Sequence, residues 1–269
     1  MPEQIGAIKL PVNRLHLELT NSCNFSCEFC PDSKMSRQKG MMSTEMAKAI
    51  LDEASNAKVV KTVLFHVMGE PTLHPHLIDI VEYATDKGIE TCLTTNGSRL
   101  DEKMLADLIN AGIGRIIISL QTPDERTFEL RGARGITFSE YAERIIAIAR
   151  RFLNGAGKSK LTISFLSSPL RRLIIPIYPE VSIADTSHDL RKYLIGWAEK
   201  VMRKSPVESR YNEVLKQIKK IWTFKENSII ISDNLNFHTR ILGDWSIHFD
   251  GKNVNAILGY CPGIRENIG

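Results

Sequence analysis

No apolar stretch of this sequence is long enough to cross a bilayer as a helix. The start, Met1-Pro2-Glu3-Gln4, lacks the basic flank and apolar run of a secretory signal, so a cytoplasmic protein is expected. Charge of one sign is also lacking: 35 Lys and Arg against 31 Asp and Glu leave a net charge of +4. The densest basic groups, Arg150-Arg151, Arg171-Arg172 and Lys216/Lys219/Lys220, read as solvated helix faces, and no nucleic-acid partner is expected. No repeat of solenoid period is present. Cysteine is scarce, with five among 269 residues, and three of the five fall between Cys23 and Cys30. A disulfide inside that cluster would close a very short loop and leave an odd thiol. In a reducing compartment such clustering points to metal ligands or redox groups.

What is present is an ordinary globular composition, 43% hydrophobic and 25% charged, on a polypeptide long enough for one α/β barrel or two smaller domains. From about residue 13 to 168, strand and helix signals alternate. Strands are expected at Arg14 to Thr20, Lys61 to Val67, Ile89 to Thr94, Arg115 to Leu120 and Leu161 to Leu166. Between them, Ser43 reads as an N-cap ahead of a helix with Met46, Ile50 and Ala54 inward. Further helices place Leu77, Ile80, Val81 and Ala84 on one face, then Leu105, Leu108 and Ile109, then Tyr141, Ile145, Ile148 and Phe152. Strands separated by helices of this length imply βαβ units and a parallel sheet, either open and doubly wound or curled into a barrel.

Past Pro169 the regularity changes. A proline-rich excursion runs to Asp185, followed by a helix with Leu190, Leu194, Trp197, Val201 and Met202 and a second with Val207, Tyr211, Val214, Leu215, Ile218 and Trp222. Trp197 and Trp222 read as helix packing. Ser228 to Ser232 is expected as the sixth strand, and the stretch from Asn236 onward as loop-rich. The expected division is a core over 1–235 and a C-terminal segment over 236–269.

The first four strands each end in an unusual polar segment. The first is Cys23-Asn24-Phe25-Ser26-Cys27-Glu28-Phe29-Cys30. The others are Gly69-Glu70-Pro71, Thr95-Asn96-Gly97 and Ser119-Leu120-Gln121. In parallel α/β folds the carboxyl ends of the strands share one edge, where ligands bind. Three thiolates are one short of a closed zinc site but suit an iron–sulfur cube with one iron left open.

The C-x3-C-x-Phe-C stretch, followed in order by those three segments, resembles the signature of the radical S-adenosylmethionine (radical SAM) superfamily. Met68 stands where that family carries the first glycine of Gly-Gly-Glu-Pro. The resemblance implies a partial (β/α)6 TIM-type barrel with an irregular, α-rich C-terminal portion. It implies a [4Fe–4S] cluster on Cys23, Cys27 and Cys30, with S-adenosylmethionine on the fourth iron. Reduction would release methionine and a 5′-deoxyadenosyl radical that abstracts hydrogen from a peptide, protein or small-molecule substrate. An electron donor such as flavodoxin or ferredoxin is expected.

By the same resemblance, Phe29 packs beside the adenine, and Gly69 and Glu70 meet the methionine ammonium. Asn96 supports the cluster loop or faces the ligand. Ser119 and Gln121 bond the ribose hydroxyls, and Arg131 pairs with the methionine carboxylate. The ending Tyr260-Cys261-Pro262-Gly263 is similar to the opening of a SPASM extension, and a sequence truncated within that extension is the expectation. Cys261 is then either its first ligand or an inert thiol.

Blander readings compete. The three cysteines form a zinc knuckle with His16 or another histidine in a non-enzymatic scaffold. Cys92 is a small core residue, Glu70 an ordinary loop carboxylate, and Ser119 and Gln121 simply satisfy a strand end. His66 is either a packed core histidine or points into the barrel, while His74 and His76 lie on the surface.

Overall fold

The computed structural model describes residues 12–34, 36–169 and 182–242. Cys261, the segment resembling a SPASM opening and most of the proline-rich excursion lie outside them. Five strands alternate with helices as the periodicity demands. They are β1 (Val12–His16), β2 (Val60–Phe65), β3 (Glu90–Thr95), β4 (Arg115–Gln121) and β5 (Lys160–Ser167). Each is parallel to the next. The sheet order is β1-β2-β3-β4-β5-β7-β6, the mostly parallel arrangement of a partial TIM-type barrel.

Helices α1 (Thr44–Asn56), α2 (Leu77–Asp86) and α3 (Glu102–Asn110) follow β1, β2 and β3. The short α4 (Glu125–Phe128) and the long α5 (Phe138–Leu153) follow β4. Polar caps fix the helix starts. Ser43 accepts from the Met46 amide, Asp101 from the Met104 amide, and Thr137 and Glu140 form a capping box, each contributing about 1 kcal/mol. In α1 the inward face is Ala47, Leu51 and Ala54. Ala54 is inward as its spacing indicates, but Met46 is exposed and Ile50 only half-buried, and Ala47 and Leu51 take the inward positions.

The core lies between these helices and one face of the sheet. Val63, Phe65, Leu93, Ile116, Ile118, Ile163, Phe165 and Phe237 are fully buried there. Strand side chains alternate between faces, so the residues between them line the opposite, inner face.

The region after the excursion departs from expectation. Helix α6 (Ser187–Met202) buries Leu190, Leu194 and Trp197 as expected. Helix α7 (Tyr211–Ile218) stops before Trp222, which is 58% exposed. The expected sixth strand, here β6 (Asn227–Ser232), does not pair with β5. That place goes to β7 (Leu235–Ile241), parallel to β5, and β6 runs antiparallel at the edge. Leu235, Phe237 and Thr239 turn to the core along β7 and alternate with Asn236, His238 and Arg240, a half-polar pattern that resembles loop when read alone. The sheet therefore continues past the boundary expected at residue 235. The β6 edge is covered where the Gln217 amide bonds both the Ile230 N–H (2.9 Å) and C=O (3.1 Å), which blunts a strand-pairing template.

No helix among the described residues is long and apolar enough to cross a membrane.

His66 follows β2 on the inner face. Its Nδ1 is buried with no hydrogen-bond partner. Burial, with the nearby charges of His16 and Arg240, pulls its pKa down to about 4. The unfolded histidine takes a proton near its usual 6.5, whereas the folded one resists until about 4. The associated stability is complete above about pH 6.5 and is lost as pH falls towards 4, at most about 2 kcal/mol by pH 5. Urea unfolding at pH 7.5 and pH 5 should show that loss in the parent protein and a smaller one in His66→Gln. An equal loss in both would sink this account.

Candidate active site

The cysteine loop leaves β1 and is held by the second and third strand-end segments and by the Leu130-Arg131 backbone that follows β4. From the second segment, the Glu70 amide donates to the Ser22 carbonyl at 2.8 Å. Gly69 sits at φ +77°, where an added Cβ would lie 2.5 Å from the Thr20 oxygen and 2.7 Å from the Ser22 oxygen. Only glycine allows both the left-handed backbone and this approach. The obstruction that forbids a side chain is thus the cysteine loop's own backbone.

From the third segment, the Asn96 amide nitrogen donates to Asn24 Oδ1 (2.9 Å) and Asn24 in turn donates to Ser98 Oγ (2.8 Å). Asn24 lies between Cys23 and Phe25, so Asn96 supports the cluster loop. The buried Tyr141 hydroxyl donates to the Asn96 carbonyl at 2.7 Å.

Beyond the fourth segment, the backbone after β4 bonds the loop directly. Ser26 N–H donates to the Arg131 carbonyl (3.1 Å) and Glu28 N–H to the Leu130 carbonyl (2.9 Å).

Glu70 is 1% exposed. Its Oε1 accepts from the Thr72 amide (3.1 Å), the Thr72 hydroxyl (2.7 Å) and the Thr95 hydroxyl (2.7 Å), and its Oε2 accepts from the Asn96 amide (2.6 Å). The carboxylate ties the end of β2 to the end of β3. All four of these bonds stay within the protein.

Arg131 is 2% exposed. Its Nη1 donates to the Ser119 carbonyl (2.9 Å), the Leu120 carbonyl (3.2 Å) and Gln121 Oε1 (2.5 Å). Its guanidinium lies 5.1 Å from the Phe25 ring centroid. Phe25 itself packs edge-on to Phe128 and Tyr141. Arg131 thus clamps the cysteine loop to the end of β4. Gln121 stands at φ +59°, where the register shifts against β5, so the bulge re-aims the strand end. The Ser119 hydroxyl and the Gln121 amide nitrogen take no partner among the described residues.

Cys23, Cys27 and Cys30 are free thiols, each half-buried. Burial pushes the Cys23 thiol up to about 11 and raises that of Cys30, and each responds to the charge of neighbouring cysteines of the set. Arg131 lies close enough to favour the Cys30 thiolate. Among the described residues no three His, Cys, Asp or Glu side groups converge on a single ion. A tetrahedral zinc site needs its ligands about 2 Å from one point. A cube needs one thiolate at each of three irons. Three half-buried thiols with a cationic neighbour, and no fourth ligand among the described residues, fit the cube.

Residue placement bears on the remaining expectations. Cys92 is buried in β3. Phe29 packs half-buried against the core. His74 is buried, its Nε2 bonded to the Met42 carbonyl at 2.9 Å, and so is not the surface residue its sequence position indicates. Missed in the sequence were Asn24 and Phe25, which anchor the cysteine loop from within. Their position between two of the clustered cysteines was the available signal.

A family model described as the radical SAM superfamily matches residues 17–165, more than half of the 269 residues. The chain belongs to that superfamily and is an enzyme whose cofactors are S-adenosylmethionine and a [4Fe–4S] cluster. Among its relatives is the tungsten-containing aldehyde ferredoxin oxidoreductase cofactor-modifying protein of Pyrococcus furiosus, 33% identical over 106 residues. That match covers 39% of this chain and 30% of the relative. The mycofactocin maturase MftC of Mycobacterium ulcerans is 31% identical over 150 residues, covering 54% and 38%. The matched stretch spans about a third of the length of the first of these relatives. A crystal structure of Streptococcus suis SuiB bound to precursor peptide SuiA shares the fold, with 22% identity and a TM-score of 0.50 over 71% of this chain and 38% of that one.

Proposed function

We propose that this protein reductively cleaves S-adenosylmethionine and directs the resulting radical at a carbon held against the inner face of the barrel. The observation that carries this reading is the joining of the ends of β2 and β3, and of the backbone that follows β4, to one loop bearing Cys23, Cys27 and Cys30. When bound, the cluster and its ligand supply a 5′-deoxyadenosyl radical by one-electron cleavage of the C–S bond.

The protein's own residues hold and orient. Cys23, Cys27 and Cys30 are the proposed ligands, and Arg131 is their buried counter-charge rather than a partner for the methionine carboxylate. The Ser119 hydroxyl and the Gln121 amide are the groups left free for a ribose. Phe29 offers an apolar surface for an adenine. The backbone at Gly69 and Glu70 is the proposed contact for the ammonium, since the Glu70 carboxylate is already occupied. A small redox protein of the flavodoxin or ferredoxin kind is the proposed electron source. Maturation of mycofactocin is the activity named for MftC.

Anaerobic reconstitution with iron and sulfide should give a brown protein that bleaches with dithionite and releases 5′-deoxyadenosine from S-adenosylmethionine. A colourless protein with stoichiometric zinc and no cleavage would favour the scaffold reading instead.

A further inference from the structure

Arg131 holds a full positive charge in the interior. It is 2% exposed. Its hydrogen bonds all run from Nη1 to neutral acceptors, the Ser119 and Leu120 carbonyls and the Gln121 amide oxygen. Its Nε–H is buried with no partner among the described residues. No carboxylate among them pairs with it. Glu70, buried at the same edge of the sheet, gives its bonds to Thr72, Thr95 and Asn96. A buried cation without a counter-ion is costly, and a site that keeps one is relieved by an anion.

Packing identifies the anion. The guanidinium lies 5.1 Å from the Phe25 ring centroid. Phe25 stands between Cys23 and Cys27, and its N–H donates to Cys23 Sγ at 3.4 Å. The Arg131 carbonyl accepts from Ser26 N–H, next to Cys27, at 3.1 Å. A Cβ on Gly132 would come within 2.7 Å of the Ser26 oxygen, so the two segments are in close contact. Glu28, the one carboxylate between Cys23 and Cys30, is exposed. The groups of this loop left to answer the charge are its three thiols.

We infer that Arg131 sets the reduction potential of the cluster held by Cys23, Cys27 and Cys30, its buried charge favouring the reduced form. This rests on the proposed ligand set. One electron passes from the small redox protein to the cluster, and no bond to Arg131 forms or breaks. A fixed positive charge stabilises the more negative state, so the potential lies higher with Arg131 than without it. Burial limits screening by water and salt. The Phe25 ring and three neutral acceptors already hold the guanidinium, so it need not rearrange when the charge arrives.

The test is a potentiometric titration of the reconstituted protein without S-adenosylmethionine, read by electron paramagnetic resonance of the reduced cluster. Arg131→Gln should lower the reduction equilibrium constant by about tenfold or more, a fall of about 59 mV for a one-electron couple. Arg131→Lys keeps the charge and should stay close to the parent. Gln121→Glu sets a carboxylate against Nη1 without removing the arginine and should also lower the midpoint. It decides the matter if Arg131→Gln fails to fold or to take up iron. Arg134→Gln, three residues further on and exposed, should leave the midpoint in place. An Arg131→Lys midpoint as low as that of Arg131→Gln would assign the effect to lost hydrogen bonds and overturn the inference, as would an equal fall in Arg134→Gln. Iron and sulfide content separate the two readings. A parent protein that takes up no cluster refutes the ligand set and this inference with it. A loaded cluster whose midpoint ignores both Arg131→Gln and Gln121→Glu refutes this inference alone, and weakened S-adenosylmethionine binding in Arg131→Gln would then return Arg131 to the methionine carboxylate.

Discussion

Replacing Cys27 with alanine is expected to abolish the brown chromophore and bring 5′-deoxyadenosine release to background, while Cys92→Ala leaves both unchanged. The difference is one of position. Cys27 lies mid-loop between two other half-buried thiols, with the loop backbone tied on both sides of it through Ser26 and Glu28. Removing it leaves two thiolates where a cube with one open iron needs three. Cys92 sits in β3 on the inner face of the sheet, away from that loop, and its thiol is pushed up by burial. Iron content, the visible spectrum and product release measured on both variants decide the matter. Cleavage retained without Cys27, or a chromophore lost without Cys92, would overturn the ligand set.

The second large effect is expected at Glu70. Glu70→Gln keeps the shape of the residue but replaces one acceptor oxygen with a donor. That donor would face either the Asn96 amide or the Thr72 and Thr95 groups, all of which donate to the carboxylate. A buried site built from four donors cannot accommodate a fifth without leaving groups unpaired, and a loss of about 2–4 kcal/mol is expected. Urea unfolding of the metal-free protein measures it. Thr95→Val tests the same network from the other side, and the double variant should lose less than the sum of the two single losses because the residues share one site. If Glu70→Gln leaves stability untouched and only weakens S-adenosylmethionine binding, the carboxylate serves the ligand and not the scaffold.

Much of the fold follows from local pattern. Apolar runs bounded by polar turns mark β2, β4 and β5, and helical spacing marks the buried faces of α2 and α5, because local periodicity and burial agree there. The pattern misleads where they part. In α1 Ala54 is inward as expected, but the exposed Met46 imitates a core residue in composition while Ala47 and Leu51 are the buried ones. Strand β7 escapes notice because its inner face carries Asn236, His238 and Arg240 towards a polar interior. Trp222 resembles packing and is exposed.

The candidate site divides the same way. The sequence by itself determined that three thiols lie on a loop after the first strand and that three polar segments follow at later strand ends, because order and spacing are properties of the polypeptide. Only the tertiary structure decided what those segments do. Gly69, Asn96 and Leu130–Arg131 hold the cysteine loop, and Glu70 and Arg131 direct their charges inside the protein. Burial and hydrogen-bond partners are set by which strands lie side by side, and no local spacing encodes that.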